Sequence, residues 1–242
     1  LTPDKKFVEF IRTEDPVYSI SFKGMDIAGT LKIKEGKENI IFNTYQKEMG
    51  AFSKMENKEE GKKKMDEYNA QILRKYPNSF LASIIRCISP IPDYIPEIPE
   101  GTPKRDSLLT VLRYNHYKKH YFDQVNFKES GLIRTTFFKQ KLDLYFDKVL
   151  PALPVDTLEK YISYCIDQSM TDSLQFHYVT EYFFQRYQKS DVMGHDALVV
   201  YLADQYMLKN AWRVDAEYKG KIEKRVNELR TNLIGQDAPE LR

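Results

Sequence analysis

Asp156-Thr157-Leu158-Glu159-Lys160-Tyr161-Ile162-Ser163-Tyr164-Cys165-Ile166-Asp167-Gln168-Ser169 is the stretch whose reading decides the fold. Leu158, Ile162, Cys165 and Ser169 recur at steps of 4, 3 and 4, which places them on one side of an α-helix. Asp156 stands where an N-cap is wanted, and Glu159 follows three residues on as in a capping box. The same grammar recurs on both sides. Phe138, Leu142, Tyr145 and Val149 form one stripe before it. Leu174, Tyr178 and Tyr182 with Val179, Phe183 and Tyr187 form a broad aromatic face behind Thr171. Leu198, Leu202 and Tyr206 follow Asp191, and Tyr218, Ile222, Val226, Leu229 and Leu233 follow Asp215.

Breaks near Pro151 to Pro154, Met170-Thr171, Ser190-Asp191 and Lys209 to Trp212 cut this region into helices of roughly four turns. Links this short favour antiparallel neighbours. The sequence shows no fixed-period consensus of a tetratricopeptide kind. The expected fold is therefore mainly α, an irregular antiparallel helical array with a solenoid-like character.

Working outward, Pro90, Pro92, Pro96, Pro99 and Pro103 put five of the chain's 11 prolines into one stretch. Proline removes an amide donor and restrains its predecessor, so 89–103 reads as an extended connection. Its Ile91, Tyr94, Ile95 and Ile98 suit a segment laid on a protein surface. Further back, Ile40 begins a helical pattern that runs beyond Phe52, and Lys54 to Lys64 is a dense charge run. Glu59 with Lys63 and Glu60 with Lys64 have the spacing of helix-supporting ion pairs. Tyr76-Pro77-Asn78 ends that helix, and a shorter one resumes at Ser79. Near the start, Thr2-Pro3 opens a brief helix through Ile11, and alternating residues from Val17 to Phe22 and Leu31 to Lys34 predict a small β-hairpin around Gly24 to Gly29. The domains read as 1–38, a helix and hairpin that are a remnant of or a link to a preceding β-rich domain, 39–233, the helical domain with its proline connection at 89–103, and 234–242, the start of another fold.

Composition sets limits on function. Hydrophobic residues make up 42% and charged residues 30% of the 242, near ordinary globular values. A net charge of +2 is too small for a general field toward nucleic acid or anionic lipid. The apolar runs 80–85 and 197–202 fall far below the roughly 20 residues of a spanning helix. Leu1-Thr2-Pro3-Asp4-Lys5 has the look of a processed or trimmed terminus. Cys87 and Cys165 are the only cysteines. Without Cys-x-x-Cys spacing they read as small buried hydrophobes rather than a redox pair.

Few constellations point to chemistry. His116 and His120 are one helical turn apart, the spacing that can set two imidazoles on one metal ion. Tyr117 stands where a zinc protease would carry its general-base Glu, so the more ordinary reading is two partly exposed histidines beside an aromatic row. His177 and His195 belong to different helices and have Glu181 and Asp196 as neighbouring acids for acid–base work; hydrogen-bonded structural histidines are the plainer reading. No Gly-x-Ser-x-Gly elbow or Gly-rich phosphate loop is present, no catalytic residue is assigned and no cofactor is implied. The 17 Tyr and 14 Phe make a large aromatic supply. Tyrosines suit core edges and peptide or glycan grooves alike. Tyr114, Tyr117, Tyr121, Tyr178 and Tyr182 are the candidate ligand or partner surface.

A family resemblance enters on particular segments. Tyr121-Phe122-Asp123-Gln124-Val125-Asn126-Phe127, then Leu132-Ile133-Arg134-Thr135-Thr136-Phe137-Phe138, then Met193-Gly194-His195-Asp196-Ala197-Leu198, then Trp212, and the closing Ile234-Gly235-Gln236-Asp237-Ala238-Pro239 stand in an order similar to that of a helical domain of unknown function. That domain precedes the thioredoxin domain of exported TlpA-like thiol:disulfide oxidoreductases in Gram-negative bacteria. Lys37-Glu38-Asn39-Ile40-Ile41-Phe42 with Tyr45 resembles the joint that leads into those helices. The resemblance implies a periplasmic or envelope location, including lipid anchoring through a removed N-terminal segment. It also implies partnership with a C-terminal thioredoxin-like domain of the same polypeptide, or with an envelope protein or peptide substrate.

Three functions follow as expectations. The first is a non-catalytic accessory domain that positions the redox domain or its substrate. The second is a binding module for an envelope peptide or glycan, and the third a metalloenzyme built on His116 and His120.

Overall fold

The computed structural model describes residues 10–11, 19–24, 30–150, 153–209 and 216–235. The opening helix from Thr2, the Asp215 cap, Trp212 and most of the closing phrase lie outside the described residues. The chain is mainly helical with a small antiparallel hairpin, as its periodicities require, and it divides into two units, Leu1–Ser89 and Pro90–Arg242. The division falls at the first proline of the connection. The hairpin therefore shares a unit with residues 39–88, which the sequence reading groups with the rest of the helical domain.

In the first unit, β1 (Ile20–Ser21) pairs with β2 (Lys32–Ile33) in the register Ile20 to Ile33 and Ser21 to Lys32. Thr30 closes the hairpin, its hydroxyl accepting from the Lys23 amide at 2.9 Å and donating to the Lys23 carbonyl at 3.0 Å. Three helices follow, α1 (Lys37–Ser53), α2 (Lys58–Lys75) and α3 (Phe80–Ile88). Asn57 caps α2 by accepting from the Glu59 and Glu60 amides, and Ser79 caps α3 through the Ala82 amide. Gly61 lies in the first turn of α2 against the end of α1, where an added Cβ would lie 2.6 Å from the Phe52 carbonyl oxygen. Only glycine allows that approach. Ile72, Leu81 and Ile85 form the core, with Phe42, Tyr45 and Tyr68 packed against it. Of the expected ion pairs, Glu60–Lys64 forms at 2.9 Å, while Lys63 turns to Glu67 at 4.0 Å instead of Glu59.

Asn39 supplies an unexpected fastening. Its side chain is fully buried, accepts from the Ile11 amide and donates to the Ile11 carbonyl, each at 2.8 Å. A primary amide offers one acceptor and two donors on a flat plane, so it can mimic a neighbouring strand for one residue. This clasp joins the N-terminal segment to α1.

The second unit begins with the extended proline segment and continues with α4 (Arg105–His120), a 3-10 turn (Ser130–Arg134) and α5 (Thr136–Leu144). Then come α6 (Val155–Ser169), α7 (Ser173–Gln188), α8 (His195–Leu202) and α9 (Ala216–Arg230). Both α5 and α8 run into a π-helical turn, Tyr145–Val149 and Ala203–Met207, each closed by a bond to the fifth residue back, Leu150 to Tyr145 and Leu208 to Ala203 at 2.8 Å. α6 packs on α7 and α8, α7 on α8, and α8 on α9.

The core stripes are those the spacing predicts. Phe138, Leu142, Tyr145 and Val149 are buried, as are Leu158, Ile162, Cys165 and Ser169, and Leu198, Leu202 and Tyr206. The caps differ from expectation. Helix α6 starts after Pro154, so Asp156 falls inside its first turn and makes no capping bond. Asp172 rather than Thr171 caps α7, accepting from the Gln175 amide at 2.8 Å. Gly194, at φ 89°, precedes α8 in place of Asp191; a left-handed residue there turns the chain sharply into the helix.

Candidate functional site

The proline segment and α4 build an open groove. Residues 90–99 stay extended because prolines interrupt any helix. Lys104, at φ 54°, turns the chain into α4, a helix with no fully buried residue. Two tyrosine hydroxyls hold α4 to the body of the unit. Tyr114 donates to the Val149 carbonyl at 2.7 Å, and Tyr145 donates to the Lys118 carbonyl at 2.8 Å. The Lys118 ammonium lies over the rings of Tyr114 and Tyr161.

Pro92, Asp93 and Tyr94 form one wall of the groove, Arg113, His116 and Tyr117 the other, around a volume of about 610 Å³. Tyr94 stacks on His116 with ring centroids 4.2 Å apart and planes 12° from parallel. His116 in turn meets His120 at 4.3 Å, and His120 Nδ1 lies 2.6 Å from Asp123 Oδ2. A carboxylate only accepts, so Nδ1 carries the proton. The histidine pair is thus brought together, its rings tilted by 35°, as part of a column that ties the proline segment to α4. Two chelating imidazoles would aim ring nitrogens at one point instead. Among the described residues no cluster of three or more His, Cys, Asp or Glu side chains converges as a metal site.

The tyrosines separate into three environments. Tyr114 and Tyr117 are exposed, at 42% and 44%. Tyr178 and Tyr182 are half-buried on α7. Tyr121 is a correction: it is 4% exposed and packs on Phe122 and Tyr145, so it belongs to the core and not to a ligand surface. Its place just after α4 turns its ring inward, where aromatic edges meet faces.

A second, charged cluster lies between α5 and α7. Asp143 accepts from Lys139 Nζ and from the Tyr182 hydroxyl, both at 2.7 Å, and Arg186 pairs with Asp147. Burial works to raise the Asp143 carboxyl, yet the bonds from Lys139 and Tyr182 outweigh it and hold it below its ordinary range. Burial pushes the Tyr182 phenol well up. Beside this cluster a cavity of about 410 Å³ is lined by Arg186, Tyr187, Ser190 and His195. His195 Nδ1 is 2.7 Å from the Ser190 hydroxyl, which also accepts from the Val192 amide at 3.3 Å. That is the bonding of a turn. Burial, aided by Arg186, lowers the affinity of His195 for a proton. His177 lines a different cleft, on α7, so the two histidines do not share a site.

Both thiols are inaccessible. Cys87 and Cys165 are 0% exposed and lie in different units. Burial pushes the Cys165 thiol far above its ordinary range, which suppresses the thiolate that redox chemistry requires. The features sequence reasoning missed are the Asn39 clasp, the Asp143 junction and the Glu181 carboxylate bonded by Tyr218. Each joins residues far apart in sequence, and only a polar residue inside an otherwise apolar stripe hints at them.

The structure is thus a mainly helical domain with an open groove between the proline segment and α4. The chain belongs to the family described as Domain of unknown function (DUF5106), which matches residues 52–232. No curated protein and no solved structure matches it. Among the described residues no helix is long and apolar enough to cross a membrane.

Proposed function

We propose that this DUF5106 chain is a non-catalytic accessory domain of an exported TlpA-like thiol:disulfide oxidoreductase, which holds the redox domain or its peptide substrate against the groove of the proline segment and α4. The observation that carries this reading is the groove itself, which presents the exposed Tyr94 on the proline segment and the exposed Tyr117 on α4, a helix with no buried residue. Rigid aromatic side chains give large contact area at small entropic cost. The buried thiols support the non-catalytic part, since neither offers a sulfur to a disulfide in solution. The segments similar to TlpA-associated helical domains support the redox partnership.

The experiment has two steps. The gene is read beyond Arg242 for an in-frame Cys-x-x-Cys, and that domain, made separately, is titrated into the isotope-labelled chain. Amide shifts confined to residues 91–95 and α4 are expected, and Tyr117→Ala is expected to weaken them. A gene without the Cys-x-x-Cys, or a titration that leaves those amides unmoved, refutes the proposal. The same exposed aromatic rings favour a second reading, a binding module for an envelope peptide or glycan. It predicts shifts in the groove with such ligands even where no redox domain follows.

A further inference from the structure

We propose that a cleft on the outer side of α7 is a separate ligand site, built for an alkyl-ammonium group such as the lysine side chain of an extended peptide. It stands independently of the groove on α4. The cleft, about 410 Å³, is walled by Ile133, Leu174, His177, Tyr178 and Tyr182 and ends at Glu181 and Gln185. Leu174 is 56% exposed although the next residues of its helix, Gln175 and Phe176, are buried. Its apolar surface therefore lines the cleft and not the core.

Glu181 gives the cleft its charge preference. Oε1 accepts from the Tyr218 hydroxyl at 2.9 Å and from Gln185 Nε2 at 2.8 Å, and Oε2 accepts from the same hydroxyl at 2.8 Å. Both donors are neutral, and among the described residues no cation lies within ion-pair distance of this carboxylate. The neighbouring cations are committed elsewhere, Lys139 to Asp143 at 2.7 Å and Arg186 to Asp147. The cleft thus combines apolar walls with a fixed, uncompensated negative charge. An anion would be repelled, and a purely apolar occupant would strip water from the carboxylate without replacing its partner. An alkyl chain ending in a cation satisfies both parts.

The bonding also selects among cations. Tyr218 shares its single proton between Oε1 and Oε2, and Gln185 takes a further position on Oε1, so Oε2 is the freer oxygen of the two. A guanidinium seeks two parallel acceptors from a carboxylate, whereas an ammonium is satisfied by one and can turn its other donors to water. The geometry therefore fits lysine better than arginine.

The test uses the labelled chain and three small probes, the N-acetyl methylamides of lysine, arginine and norleucine. The lysine probe is expected to shift the amides of Ile133 and of α7 from Leu174 to Glu181, and norleucine to bind about tenfold more weakly, the loss of one charge-assisted hydrogen bond. Glu181→Gln keeps an acceptor for Tyr218 and removes the charge, so it is expected to fold normally and lose the preference for lysine. Shifts confined to α4, norleucine binding as well as lysine, arginine binding more tightly than lysine, or an unchanged preference in Glu181→Gln would each overturn the proposal. Failure here leaves the redox-domain titration untouched, because that reads residues 91–95 and α4.

Discussion

Replacing Asn39 by Ala removes a side chain that bridges Ile11 and α1 through two bonds of 2.8 Å. The magnitude follows from what is left behind. Ile11 is 6% exposed, so its amide and carbonyl lose their partners in a place that water reaches poorly. A buried backbone group left unpaired costs about 1–3 kcal/mol, against about 1 kcal/mol net for an ordinary hydrogen bond. Partial relief by water puts the expected loss at about 2–4 kcal/mol for the first unit. Because the chain has two units, a single global transition is not the right readout. Hydrogen exchange of amides in α1, α2 and α3, with the Ile11 amide as local reporter, measures the unit directly. Asn39→Asp provides the contrast. Near neutral pH it places an ionised carboxylate at a fully buried position and loses the donor to the Ile11 carbonyl; in acid the protonated carboxyl again offers both a donor and an acceptor. Its deficit is therefore expected to shrink as pH falls. A loss below about 0.5 kcal/mol for Asn39→Ala with unchanged Ile11 protection would refute the reasoning.

Neither cysteine is expected to react with a thiol reagent in the native chain near pH 8, and both are expected to react after denaturation, because both are fully buried; rapid native labelling of either would contradict this. Asp143 ties stability to acid. Its folded-state pKa is lowered, so its contribution is present above the unfolded value of 3.8 and is lost as pH falls through the lower folded value. Urea midpoints measured from pH 5 downward, a range set by ordinary carboxylate values, should therefore fall less steeply for Asp143→Asn than for the parent chain. Equal slopes would remove Asp143 from the account.

Much of the second unit was legible because its helices are one-sided. Leu158, Ile162, Cys165 and Ser169 had to share a face at helical spacing, and all are buried. Helix starts were less legible. Asp156, Thr171 and Asp191 are all good capping residues by type, but Pro154, Asp172 and Gly194 occupy the cap positions. Capping depends on which backbone amides are left without partners, and several polar residues within a few positions compete for that role. The hairpin was legible from alternation. Asn39 was not, since a side chain clasping a residue 28 positions away leaves no local trace.

The aromatic residues show why a site is harder to read than a core. Tyr114, Tyr117 and Tyr121 follow one another along α4 and its C-terminal end at helical spacing, and period alone gives all three the same standing. The structure sends Tyr121 into the core at the helix end and leaves the other two exposed, one of them with its hydroxyl spent on the Val149 carbonyl. On α7 the stripe of Leu174, Tyr178 and Tyr182 runs beside the buried Val179, Phe183 and Tyr187, so that one helix serves two surfaces. A helix that is apolar over so wide an arc must cover something on each side. The inner side covers the core; the outer side is the open cleft that ends at Glu181. Period fixes which residues are neighbours on a helix, but only packing decides which neighbours are left facing a ligand. The open clefts of the second unit therefore arise from the same apolar stripes that build its core, at the places where the next helix fails to cover them.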